Sequence, residues 1–178
     1  MITRFLLTFV ISLLLANTAL AQRDYLTPQE VDLVKEAQIL DKRIDVFIRA
    51  AERRLIVING SAAANAKQLK KDSERWGELP TGSRAELVSD IARIIDAAID
   101  NIDDVSMHDE RNPLIGKSLR KLSASVNSIM TQLKPLSAQA KGEAEIASFE
   151  QLNEGVQSIT EATAKLPPEV EKKAKNKN

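Results

Sequence analysis

From Leu33 onward, apolar residues recur every three or four positions: Leu33, Ala37, Leu40, Ile44, Phe47, Ala51, Leu55 and Ile58. Lys35, Glu36, Arg43, Asp45, Arg49, Glu52 and Arg53 fill the faces between them. This is the period of an amphipathic helix, in which residues three and four apart share a face. Its start is encoded as well. In "LTPQE" the Thr27 hydroxyl suits an N-cap, Glu30 stands where its carboxylate can reach back to the Thr27 N–H, and Pro28 suits the first helical position. The spacing predicts one long first helix, from Thr27 to a stop at Asn59-Gly60. The motif "DYLTPQEVDLV" is thus expected to be a helix start rather than a ligand site.

The same grammar repeats along the chain. Ser83 and Glu86 form a second capping box after "ELPTG", and Leu87, Ile91, Ile94, Ile95, Ala98, Ile102 and Val105 line the second helix. Asn112 and Pro113 open a third, with Ile115, Leu119, Leu122, Val126, Ile129, Met130 and Leu133 inward. Pro135 lacks the N–H that would bond the Thr131 carbonyl, so the third helix is expected to kink or end there. The fourth is predicted from about Gly142 to Lys165, with Phe149, Leu152, Val156, Ile159 and Thr163 inward and Pro167-Pro168 as its stop. Between helices one and two, Ala62, Ala66, Leu69, Ser73 and Trp76 keep the period of a short extra helix ending at Trp76. No stretch alternates with the period of a strand. The expected fold is all-α: an antiparallel four-helix bundle with a short extra helix and a kinked third helix.

The first residues have another character. "MITRFLLTFVISLLLANTALAQ" sets Arg4 before a short apolar run and ends in the small-x-small pattern Ala19-Leu20-Ala21. This is the pattern of a secretory signal peptide over residues 1–21, the run being too short for a comfortable span. The expected organisation is therefore a leader (1–21), a helical bundle domain (22–168) and a basic disordered tail (169–178). The expected location is the periplasm or the extracellular space, with no integral membrane span after cleavage.

Composition narrows the chemistry. The 178 residues carry 25 basic and 25 acidic side chains, so bulk attraction to nucleic acid or an anionic membrane is not expected. There is no cysteine, hence no disulfide, thiolate ligand or thiol nucleophile. Outside the leader the aromatics are Tyr25, Phe47, Trp76 and Phe149, too few for a nucleic-acid stacking platform. The nucleotide-loop and serine-hydrolase signatures are absent. His108 lies among Asp103, Asp104, Met107 and Asp109, but zinc and copper sites gather several His or Cys ligands, and no metal or cofactor is expected.

Charge clusters remain. Asp96, Asp100, Asp103 and Asp104 share one face of the second helix near its C-terminus, where they oppose the helix dipole. Lys117, Arg120 and Lys121 stand near the N-terminus of the third, the mirror arrangement. The reading is that these two ends offset each other through interhelical ion pairs. The candidate partner surface comprises Trp76, Lys70 and Lys71 on the extra helix with Asp96, Asp100, Asp103 and Asp104. Arg43, Arg49, Arg53, Arg54, Lys70 and Lys71 raise the alternative of a cofactorless helical enzyme of the secreted chorismate mutase type. Such an enzyme needs inward-facing cations, and the predicted stripes contain none. Arg49 is expected to pair with Asp45 one turn earlier.

"YLTPQEVDLVKEAQ", "LDKRIDVFIRAAERRL" and "WGELPTGSRAEL" together resemble exported all-helical bacterial proteins of no assigned function. "LTPQE" is similar to the L-T-x-x-Q element of periplasmic Spy/CpxP-type helical proteins, with Glu30 in place of the Gln and no second copy of the element. Both resemblances imply export and a helical fold, and neither supplies a catalytic residue. The functional expectation is an exported, non-enzymatic bundle acting by binding in an envelope structural, stress or accessory role. Its partner would be another protein or itself, as a homodimer. A carrier of lipid or small apolar ligands is the alternative.

Overall fold

The computed structural model describes residues 24–168. The leader and the tail inferred from sequence lie outside them, as do Gln22 and Arg23, which follow the leader. Among the described residues the chain is all-helical: α1 (Pro28–Glu36), α2 (Leu40–Ile58), α3 (Ala66–Trp76), α4 (Arg84–His108), α5 (Pro113–Ser137) and α6 (Glu143–Ala164). None of these helices is long and apolar enough to cross a membrane.

The starts follow the capping chemistry. Thr27 and Glu30 form a complete capping box at α1, Ser83 and Glu86 another at α4, and the Asn112 side chain accepts from the Leu114 N–H ahead of α5. Each satisfies N–H groups that a helix end leaves without partners. The short extra helix is α3, ending at Trp76 as its period requires. Gly77 follows at φ 65°, a backbone position that favours glycine, and a Cβ there would stand 3.1 Å from the Gln29 side chain. Gly77 thus also leaves room for the Gln29 side chain of α1.

The first helix is not continuous. It breaks over residues 37–39 into α1 and α2 although no glycine or proline stands there. A continuous helix would keep Glu30 and Arg53 roughly 35 Å apart, at 1.5 Å per residue. Folding α1 back along α2 brings them into contact. The break itself is satisfied locally: Arg43 Nε donates to the Ala37 carbonyl at 2.9 Å, and Gln38 Nε2 reaches the Lys35 carbonyl. Ile39, left 56% exposed, is the apolar side chain sacrificed at the corner. Tertiary contact has overridden an intact helical period.

The core is built by the four long helices. Ile44, Phe47, Ala51 and Leu55 of α2 meet Val88, Ile91, Ile95 and Ala98 of α4, joined by Leu122, Val126, Ile129 and Leu133 of α5 and Phe149, Leu152 and Ile159 of α6. Cross-links fix the directions. Arg54 meets Asp90 and Arg43 meets Asn101, so α2 and α4 run antiparallel. Arg84 pairs with Glu145 and Gln151 with Asp96, so α4 and α6 run parallel. Lys117 meets Asp41, Lys121 meets Asp45 and Asn59 meets Gln132, so α2 and α5 are parallel too.

That last ladder corrects an expectation. The basic N-terminus of α5 was expected to neutralise the acidic end of α4; instead Lys117 and Lys121 pair with Asp41 and Asp45 of α2, and Arg120 donates to the Pro167 carbonyl. The chain joins α4 to α5, but α5 lies more closely along α2 and α6 than along α4. Arg49 likewise pairs with Glu52 and Asp72 rather than Asp45. At the other end, α5 continues through Pro135 to Ser137. Thr131 and Pro135 are both exposed, so solvent can take the place of the missing N–H donor.

Candidate functional site

Three segments far apart in sequence converge on the C-terminal half of α2: the chain from Tyr25 into α1, the turn after α3, and the first half of α4. At their meeting point lie four charged side chains. Glu30 is 0% exposed and Arg53 and Arg54 are each 1% exposed, while Asp90 is buried beside them. Burying charge is costly unless each group is paired and hydrogen-bonded, and here the pairing is dense.

Glu30 is the hub. Its Oε1 accepts from Arg53 Nε at 3.1 Å and from Arg54 Nη1 at 2.9 Å. Its Oε2 accepts from the Thr27 N–H at 2.9 Å and lies 2.8 Å from Arg54 Nη2. One carboxylate thus closes the capping box of α1 and binds two guanidinium groups. Arg53 Nη2 donates onward to the carbonyls of Trp76, Gly77 and Glu78, which fastens the turn after α3. Arg54 donates to the Tyr25 and Ala50 carbonyls, and its Nε lies 3.6 Å from Asp90 Oδ2. Two positive and two negative charges balance within the cluster.

Aromatic rings flank it. The Arg53 guanidinium lies 5.7 Å from the centre of the Trp76 ring, and Arg93 lies 4.5 Å from that of Tyr25. Burial among these groups weakens the Arg53 hold on its proton, and the charge of Glu30 only partly restores it. One turn earlier, burial acts on Arg49 in the same sense but is outweighed by hydrogen bonds to Asp72 and Glu52, so its pKa stands above the usual value. Asp72 is correspondingly held below the usual carboxylate value: its burial acts upward, and the bonds from Arg49 and Gln68 overcome it.

Beside the cluster opens a cleft of ≈ 900 Å³, wide to solvent, between the start of α1 and the turn after α3. Thr27, Pro28 and Gln29 form one wall, Gly77 to Gly82 the other, and Arg54 also lines it. Asp24, Glu78 and Glu86 give the lining acidic character.

The residues singled out from sequence fall elsewhere, with one exception. Trp76 is half-buried against the core and touches the cluster through Arg53. Lys70 and Lys71 are exposed on α3. Asp96 accepts from Gln151, and Asp100, Asp103 and Asp104 are exposed on α4, which does not pack on α3, so the two halves of the candidate surface are not brought together. His108 is exposed, its Nδ1 2.7 Å from the Asp104 carbonyl, and among the described residues no group of three or more His, Cys, Asp or Glu gathers to hold a metal.

The structure also overturns the expectation of a stripe without inward cations. Arg53, placed on the polar face by its period, and Arg54 are both buried. The available signal lay in register: Arg54 follows Ala50 and Ala51 at i+4 and i+3, inside the apolar stripe, and Asp90 stands three residues after Leu87, inside that of α4. Comparison of the chain with protein-family models, with curated proteins and with solved structures finds no match.

Proposed function

We propose that the protein works outside the cytoplasm, in the periplasm or beyond the cell, as a non-enzymatic helical protein that acts by binding in an envelope structural, stress or accessory role. In this reading α2, α4, α5 and α6 close as a four-helix bundle whose helices alternate in direction along the chain, with α5 kinked at Pro135. The partner is another protein or a second copy of the chain.

The observation that carries the reading is the condition of the buried cations. A cofactorless enzyme acting on an anionic substrate needs guanidinium groups aimed into a pocket with donors to offer. Arg53 and Arg54 instead meet Glu30, Asp90 and main-chain carbonyls, and Arg43 and Arg49 are engaged by Asn101, the Ala37 carbonyl, Glu52 and Asp72. This wiring holds segments together, whereas catalysis requires groups positioned for a transition state. The apolar run and small-x-small pattern of residues 1–21 support export.

Native mass spectrometry tests the reading on protein purified without chelator or detergent from the envelope fraction of its own host. A mature chain there, bare or in complex with another protein or itself, supports it. Recovery only from the cytoplasm, or a stoichiometric metal or apolar small-molecule adduct on every chain, overturns it.

A further inference from the structure

The cluster at Glu30 has the form of an occupied receptor. Two adjacent guanidinium groups on the rigid α2 converge on a single carboxylate oxygen, with Asp90 and three carbonyls fixing them from behind. Convergent guanidinium donors are the standard protein recognition element for carboxylates. The carboxylate that fills it comes from a short helix held by few neighbours. α1 has nine residues, packs on α2 and α3 but not on α4, α5 or α6, and joins α2 through the three-residue break. Arg54 lines the cleft, so a carboxylate entering from solvent meets a guanidinium that Glu30 now holds.

We propose that Arg53 and Arg54 form a carboxylate-binding site that Glu30 occupies in the closed state, and that a ligand carboxylate carrying a positive charge close by competes with Glu30 and releases α1. Exchange of one carboxylate for another leaves the buried charge balanced, which removes the main obstacle to opening a buried ion pair. The positive charge follows from the approach: a plain anion would have to pass Asp24 and Glu78 at the cleft wall, whereas an amino-acid-like zwitterion satisfies these acids and the guanidinium pair together. The inference rests on the cluster geometry and stands independently of the proposed cellular role.

The test is hydrogen exchange by mass spectrometry on the full mature chain, with free lysine, sodium acetate or sodium chloride added at matched ionic strength. Lysine is expected to speed exchange of the amides in α1 and the turn 77–82 severalfold over chloride, with acetate weaker and α4–α6 unchanged. Equal exchange in all three solutions overturns the site, and acetate matching or exceeding lysine overturns the ligand class. Glu30→Gln gives a second reading, since it leaves the guanidinium pair without its carboxylate. Lysine should raise the melting temperature of this variant, in a saturable way, more than that of wild type; an equal response in both counts against the proposal. Should the variant not fold, the wild-type exchange alone decides.

Discussion

Glu30 and Arg53 stand 23 residues apart in the chain, yet Glu30 Oε1 accepts from Arg53 Nε at 3.1 Å in the buried interior. That contact requires a helix that sequence periodicity draws as continuous to turn back on itself, and it ties the capping box of α1 to the C-terminal half of α2. Much of what is distinctive in this fold follows from it.

Removing Glu30 should therefore cost far more than losing a helix cap. Breaking one side of a buried ion pair typically costs about 3–5 kcal/mol, against about 1 kcal/mol for a cap alone. Glu30→Ala is expected in the higher range by urea denaturation, and Thr27→Ala in the lower. Equal losses for the two would mean that Glu30 serves only the cap.

The fold class and most helix limits were legible because they rest on local chemistry. The boxes at Thr27/Glu30 and Ser83/Glu86 and the Asn112-Pro113 start each follow from interactions within three residues. The break at residues 37–39 was not legible, since its cause is a partner 23 residues away, and period alone cannot distinguish one helix from two collinear in pattern. The site was hidden for a related reason. Arg53 and Arg54 look solvated when charge is taken as a mark of exposure, and only the three-dimensional arrival of Glu30 and Asp90 makes their burial tolerable.

Acid should destabilise the fold. Arg84 and the Lys141 N–H hold Glu145 below the usual glutamate value, Lys117 holds Asp41 below the usual aspartate value, and Asp72 lies below it as well. A carboxyl group with a depressed folded-state pKa contributes stability that is fully present above its unfolded-state value and is lost as pH falls through the folded one. Denaturation midpoints are thus expected to hold from neutrality to about pH 5 and to fall below pH 4.5. Arg84→Met, which removes the main partner of Glu145, should flatten that fall; an unchanged slope would deny the pairing.

The ladder of Lys117 and Lys121 with Asp41 and Asp45 fixes α5 beside α2. Lys117→Glu should lower the melting temperature, and adding Asp41→Lys should restore most of the loss. Recovery through Asp103→Lys instead would return the pairing to the α4 end, where sequence reasoning had placed it.

Trp76 is the only tryptophan, half-buried with Arg53 against its ring. Trp76→Ala should cost about 2 kcal/mol, below the 3–5 kcal/mol of a fully buried tryptophan. In urea, wild-type tryptophan fluorescence should change no later than the helical circular dichroism, because the α3 backbone lies close to α1 alone and α3 reaches α2 only through the Arg49–Asp72 pair and the Arg53–Trp76 contact. A fluorescence midpoint later than the loss of helix would place Trp76 in the last structure to unfold.

The most direct measurement of the central claim, that α1 is folded back along α2, is a distance. The chain has no native cysteine, so Asp32→Cys and Asn59→Cys introduce two unique labelling positions on exposed residues. Double electron–electron resonance between spin labels there separates the two arrangements, since a continuous helix would hold the positions roughly 40 Å apart at 1.5 Å per residue. The account predicts a distribution centred at roughly half that distance, and one centred near 40 Å would contradict it.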